Sequence, residues 1–285
     1  MRSCGRALLA LLVALSIVGT AVSASGAGPK DRFKVNGHRL FLTCTGSGRP
    51  VVVLDAGLGS DHGSWSNLAL SARRLHTRVC AYDRYGVGSS GGRNKTRTIG
   101  MAAADLHALL LKAKLKAPYV LAAHSIAGLV DREYARRYPK NVAGMVLLDT
   151  APDDWDIYTG TKTFVWGEES LNVVAASAAL RARDSLGVKP LVVIESSNPV
   201  DVSAWANGKS DFYSYWDSAQ SALAKISSNS IFMVATSIGH EIPVNAPSLT
   251  DEAMRLVVNA VRTHAKLPAC SGSTLQKKGG ACDPA

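Results

Sequence analysis

The chain has 285 residues, which suits one large domain or two small ones. Hydrophobic residues make up 47% and charged residues 19%, so a sizeable core is possible and a disordered chain is excluded. The formal net charge of +10 comes from scattered Lys and Arg, with no dense patch interleaved with aromatics, so no nucleic-acid partner is expected. A basic surface favours anionic envelopes or anionic substrates, or it marks a generic soluble basic protein.

Arg2 and Arg6 precede an almost wholly apolar run, Ala7 to Val18, and small residues follow. Residues 1–24 read as a secretory signal peptide with cleavage after Ala24, or after Ala27 as a second option. A membrane anchor is the rival reading, but the run is short for a bilayer span. Cys4 lies before the run, where a lipoprotein-type cysteine does not belong. Export to the medium, periplasm or cell envelope is therefore expected, without stable membrane insertion after cleavage. Residues 25–30 then form a short linker, residues 31–268 the main domain, and residues 269–285 a tail.

Phe33 and Val35, then Asn36-Gly37, then Leu40, Leu42 and Cys44 predict a hairpin over 32–45. Val51 to Leu54 is a continuous apolar run, as expected of a strand buried on both faces, and Gly57 and Gly59 follow it. Val79–Tyr82 is a second such run, followed by Gly86 and Gly88. Helical spacing covers 98–114, and a strand at Tyr119–Ala123 leads directly into a helix over 126–138. Strands at 142–148, 191–194 and 231–234 alternate with helices at 211–227 and 249–265. Such alternation predicts an α/β fold with a parallel sheet and helices on both faces, binding ligands at the carboxyl ends of the strands. Residues 150–188 interrupt it with Trp155, Tyr158, Phe164 and Trp166, either as a small lid or as aromatics packed on the core.

Four cysteines remain after the first 24 residues: Cys44, Cys80, Cys270 and Cys282. An even number in an oxidising compartment suggests two disulfides, with three pairings possible. Cys270–Cys282, which would pin the tail, and Cys44–Cys80 are preferred, the alternative being that Cys44 and Cys80 are buried thiols. No metal site is expected, because neither Cys-x-x-Cys nor His-x-x-x-His spacing occurs.

Ser125 carries the chemistry. It follows an apolar strand and opens a helix, with small Ala123 and Ala127 two residues either side. So tight a strand-to-helix turn exposes Oγ and brings the Ile126 amide and the helix N-terminus to the same space. A plain helix N-cap is the bland alternative. His240 lies behind Gly239, after the last strand, where a general base for Ser125 is expected.

Together with Tyr82-Asp83-Arg84-Tyr85-Gly86-Val87-Gly88-Ser89, Tyr134-Ala135-Arg136-Arg137-Tyr138-Pro139 and Gly239-His240, these residues resemble the α/β-hydrolase superfamily, of the serine esterase and lipase kind. The resemblance spans roughly residues 37–265. It implies a mostly parallel eight-stranded sheet in the order 1-2-4-3-5-6-7-8, with the 150–188 insertion after strand 6. That order makes the strands of Cys44 and Cys80 neighbours. It implies an oxyanion hole from Ile126 and the Gly57 or Leu58 amide, Gly57 being preferred. Asp55-Ala56 stand where many relatives have His-Gly. For the acid that orients His240, Asn198 occupies the usual place after strand 7 and Asp201 lies far on. Asp149, after strand 6, is favoured over Asp201. Asp83 is read as a brace for the glycine turn at Gly86 and Gly88, and Trp65 as packing for the first helix.

The expectation is a secreted serine hydrolase that cleaves a small-molecule carboxylic ester through Ser125, His240 and Asp149, with Ile126 and Gly57 at the oxyanion and no cofactor. The alternatives are an amidase, peptidase or acyltransferase on the same site, or a non-catalytic binding protein of the same fold. Oligomeric state is not legible from the sequence.

Overall fold

The structure, a computed structural model, describes Met1 and residues 28–65, 68–92, 95–198, 203–206 and 208–282. The expected signal peptide beyond Met1, residues 25–27 of the linker after it, and Asp201 lie outside the described residues, while Gly28 and Pro29 of that linker exchange backbone hydrogen bonds with Cys44 and Lys30 opens the first strand.

The elements in chain order are β1 (Lys30–Val35), β2 (His38–Thr45), β3 (Val51–Asp55), α1 (Leu68–Leu75), β4 (Val79–Tyr82), β5 (Arg97–Thr98), α2 (Ile99–Lys112), β6 (Tyr119–His124), α3 (Ala127–Arg137) and β7 (Val142–Leu148). They continue with α4 (Trp155–Thr159), β8 (Thr163–Trp166), β9 (Glu169–Asn172), α5 (Val174–Ala182), β10 (Leu191–Asn198), α6 (Phe212–Ala224), β11 (Ser230–Gly239), α7 (Ile242–Asn245), α8 (Pro247–Thr263) and β12 (Gly280–Ala281). Asn36 and Gly37 have φ of 45° and 86°, a pair of positive angles that turns β1 tightly back along β2.

The main sheet runs β1-β2-β4-β3-β6-β7-β10-β11-β12. The first eight strands of that series reproduce the expected order, with β3, β4, β6, β7, β10 and β11 parallel. A ninth strand is added by the C-terminal segment: Gly280 and Ala281 pair antiparallel with Ala235 and Val234. The Cys270–Cys282 disulfide closes this segment, and Cys44 faces Cys80 across β2 and β4 in the second disulfide.

Period-two alternation splits the core into two layers. Val51 and Val53 face one side with α2 and α3, where Leu106 and Leu129 are fully buried. Val52 and Leu54 face the other side, with Leu75 of α1 and Val257 of α8. Fully burying such an aliphatic side chain contributes about 1.5–3 kcal/mol, so the two layers carry most of the sheet's stability.

The 150–188 interruption holds α4, the β8–β9 hairpin and α5. The hairpin joins β5 in a second sheet of order β5-β9-β8. Of its aromatics, Trp155 and Phe164 are buried in the core, and with the exposed Trp166 they line the cavity above Ser125. Among the described residues, no helix is long and apolar enough to cross a membrane.

Candidate active site

Ser125 sits between the end of β6 and the start of α3 with φ of 57°. A non-glycine residue there carries backbone strain of about 1–3 kcal/mol, held only when neighbours fix it. Here the Ser125 N–H donates to the Leu148 carbonyl at 3.2 Å, and the Ser125 carbonyl accepts from Gly128 and Ala151 at 3.1 and 3.0 Å. Ala123 and Ala127 are fully buried beneath the turn. A Cβ on Gly128 would fall 2.4 Å from Thr150 Cβ, so the helix can leave the sheet this closely only with glycine at that position.

His240 follows β11 and its Nε2 lies 2.9 Å from Ser125 Oγ. Its Nδ1 lies 2.6 Å from Asp149 Oδ2. A carboxylate only accepts, so Nδ1 carries the proton and Nε2 presents its lone pair to the serine hydroxyl. Asp149 is fully buried one residue beyond β7, its backbone turned by φ of 47°. Three further donors hold it: Ser196 N at 2.9 Å, Ser196 Oγ at 2.8 Å and Trp216 Nε1 at 2.8 Å. β10 extends to Asn198, four residues past its expected end, so Ser196 and Asn198 lie within the strand and Ser196 reaches across to Asp149.

His124 points to the other side of the same histidine. Its Nε2 donates to the His240 carbonyl at 2.8 Å. Burial first, and the neighbouring His240 ring second, hold its pKa well below the ordinary histidine value, so it stays neutral.

Beneath the loop after β3 lies a group that the sequence did not predict. Arg84, 4% exposed, donates to Asp55, to the Ala56 carbonyl and, at 2.7 Å, to the Gly57 carbonyl. On its other edge it meets Glu169 of β9 at 2.6 and 2.9 Å. Glu169 also accepts from the Gly59 amide at 2.6 Å, and Tyr82 Oη donates to Asp55 at 2.6 Å. Burial pulls the Arg84 pKa down, but the Glu169 and Asp55 carboxylates outweigh it and drive it well above its usual value. The loop peptides are trans, so each N–H opposes its carbonyl. With the Ala56 and Gly57 carbonyls turned onto Arg84, the Gly57 and Leu58 amides both point away from it. Both residues line the cavity that also holds Ser125 and Ile126.

Asp83 braces the glycine turn as expected: its carboxylate accepts from Ser89 N and His62 N, both at 2.7 Å. Trp65 is buried against the face that carries α1. His124, His240 and Glu241 each bring one potential metal-ligand atom within 4.8 Å of the others. Both His240 ring nitrogens are already engaged, by Asp149 and Ser125, so a metal there would have to displace the serine.

The sheet order and the turn at Ser125 are those of an α/β-hydrolase fold, with the hydrogen-bonded series Ser125–His240–Asp149 at the carboxyl ends of its strands. A family profile described as alpha/beta hydrolase fold matches residues 50–231, and the chain belongs to that family. The uncharacterized protein YqjL of Bacillus subtilis (strain 168) is 25% identical over 219 residues, covering 73% of this chain and 83% of YqjL. A putative carbamate hydrolase, RutD of Yersinia enterocolitica, is 32% identical over 116 residues, covering 40% of this chain and 41% of RutD. A thermophilic esterase from Thermogutta terrifontis shares the fold with a TM-score of 0.58 at 20% identity, over 82% of this chain and 99% of that one.

Proposed function

We propose that the protein is an exported serine hydrolase that cleaves carboxylic esters. The observation that carries this reading is the continuous hydrogen-bonded series from Ser125 Oγ through His240 to the buried Asp149. Ser125 Oγ attacks the carbonyl carbon while His240 Nε2 takes its proton, and Asp149 steadies the cation that forms. The Ile126 and Gly57 amides donate to the oxyanion, with the Leu58 amide turned the same way. Collapse breaks the ester C–O bond, and His240 returns the proton to the departing alcohol. Water, deprotonated by His240, then attacks the acyl carbon, and Ser125 regains its proton as the acid leaves. These steps call for no metal or organic cofactor.

The fold neighbour described as a thermophilic esterase supports an ester over other acyl compounds. The relative described as a putative carbamate hydrolase keeps carbamates and amides as a second reading on the same residues. The N-terminal basic and apolar run and the two disulfides support export.

Hydrolysis of p-nitrophenyl esters across chain lengths, beside p-nitroanilides, tests the reading. Ester turnover lost in Ser125→Ala and in His240→Ala is the expected result. A folded wild type inert on every ester but active on anilides would replace ester with amide, and activity surviving Ser125→Ala would overturn the mechanism. The N-terminal residue of protein recovered from a culture medium or periplasm tests export: Ser25 or Gly28 is expected.

A further inference from the structure

Four of the chain's five tryptophans line one cavity. Trp155, Trp166, Trp205 and Trp216, with Phe164, wall a space of about 230 Å³ directly beside Ser125 and His240. The aromatic walls pack on one another and on the site residues. Trp216 spends its N–H on Asp149, which leaves only apolar indole surface for the cavity. Trp155 stands edge-on to Trp216 at 5.3 Å and parallel to Phe164 at 6.4 Å, and Phe164 tilts against Trp205 at 5.4 Å. Trp166, 63% exposed at the mouth, rests on Gly59, where a Cβ would come within 2.3 Å of its ring.

The electrostatics of the cavity run against those of the chain. Although Lys and Arg outnumber Asp and Glu by 32 to 22, neither Lys nor Arg lines this space among the described residues. Among the described residues, its one ionisable lining group besides His124 and His240 is Glu241. A Glu241 carboxylate oxygen lies within 4.8 Å of a ring nitrogen of each of those histidines. An anionic acyl group would therefore meet a carboxylate with no compensating cation. Among the described residues, the basic character that suggested anionic substrates does not extend into the site.

We propose that the site accepts esters whose acyl group ends in a single uncharged aromatic ring. This deepens the ester-hydrolase reading and rests on it. The space is smaller than the roughly 300–1,000 Å³ of sites that enclose drug-sized ligands, so one ring on a short linker fills it. Ring-on-ring contacts add about 2- to 13-fold each beyond the area they bury, and an alicyclic group of the same size forgoes that gain. The reaction breaks the ester C–O bond and adds water, giving an alcohol and an aromatic acid. Once ionised, that acid faces Glu241 and is repelled outward, so the exclusion of anions also speeds product release.

Methyl esters test this without an aromatic leaving group. Methyl phenylacetate, methyl cyclohexylacetate and methyl (4-carboxyphenyl)acetate are compared by kcat/KM. The expected order is phenyl about tenfold above cyclohexyl, the gain of roughly two ring contacts. The carboxylated ring should fall at least as far below phenyl, and Glu241→Gln should narrow that second gap while leaving the first. In Trp205→Leu the phenyl-to-cyclohexyl ratio should shrink. A ratio near one in the wild type, or a carboxylated ring hydrolysed as fast as phenyl, overturns the proposal. If a fluorophosphonate labels Ser125 but no ester turns over, the ester reading fails alone. The ring preference is then read from protection by 2-phenylethylboronic against 2-cyclohexylethylboronic acid. If Ser125 takes no label, the hydrolase reading fails. Quenching of tryptophan fluorescence by phenylacetamide against cyclohexylacetamide then decides the ring preference, equal affinities overturning it.

Discussion

Glu169→Gln removes one charge from beneath the loop after β3, the proposed oxyanion loop, and changes little in shape. Glu169 and Arg84 are 1% and 4% exposed, and two hydrogen bonds join them. Breaking a buried ion pair by removing one partner costs about 3–5 kcal/mol. Arg84 keeps Asp55 and two loop carbonyls, so the loss belongs at the lower end, about 3 kcal/mol. In a domain of this size that lowers Tm by about 6–12 °C. The same carboxylate receives the Gly59 amide and belongs to the hairpin whose Trp166 lies on Gly59, so its loss loosens the loop that aims the Gly57 and Leu58 amides. Displacing an oxyanion donor, short of deleting it, should lower kcat about tenfold or more with little change in KM. Urea unfolding and ester kinetics on the same preparation read both effects. A variant within 0.5 kcal/mol of wild type, on the scale of a neutral surface change, and with unaltered kcat would refute the reasoning.

Asp149→Asn should keep the site's shape but favour the wrong His240 tautomer, lowering kcat by a factor on the order of 10⁴, as for the same change in the serine-protease triad. Trp216→Phe, which deletes one of the donors to Asp149, should cost about tenfold. Asp131 is fully buried with neither oxygen hydrogen-bonded among the described residues. Burial first, and the Asp55 charge second, raise its pKa well above the ordinary carboxylate value. The folded state therefore holds that proton more tightly than the unfolded chain. Its stabilising contribution is full below the unfolded pKa of about 3.9 and is lost as pH rises through the folded value. Asp131→Asn should then gain on wild type in urea midpoint between pH 4 and pH 8, and an equal difference at both would contradict this. Removing Cys44–Cys80 should cost about 4 kcal/mol and removing Cys270–Cys282 about 3, because they close sequence separations of 36 and 12 residues. Urea midpoints of Cys44→Ala/Cys80→Ala and Cys270→Ser/Cys282→Ser check the order.

What the sequence makes legible follows from how local the signals are. Ser125, its flanking alanines and the helix after it lie within one turn, and the continuous apolar runs of β3, β6 and β7 mark strands buried on both faces. Both disulfides join as expected, one across neighbouring strands. The Arg84–Glu169 pair spans 85 positions, and the Trp216 bond to Asp149 spans 67, so no spacing rule links them. Asp55, which breaks the His-Gly pattern, gains its meaning only once Arg84 is seen beneath it. The β8–β9 hairpin hid because Gly167 and Glu168 turn a short aromatic stretch that reads equally as loop. The two residues of β12 carry too few side chains to show any periodicity.

The most direct test is intact mass and peptide mapping of the folded mature protein after treatment with a fluorophosphonate. The account predicts a single adduct on the peptide carrying Ser125, formed rapidly in wild type and lost in Ser125→Ala. Labelling should be slowed by orders of magnitude in His240→Ala, because the hydroxyl then lacks its base. A folded protein that takes no label, or one labelled elsewhere at the wild-type rate when Ser125 is alanine, would contradict it.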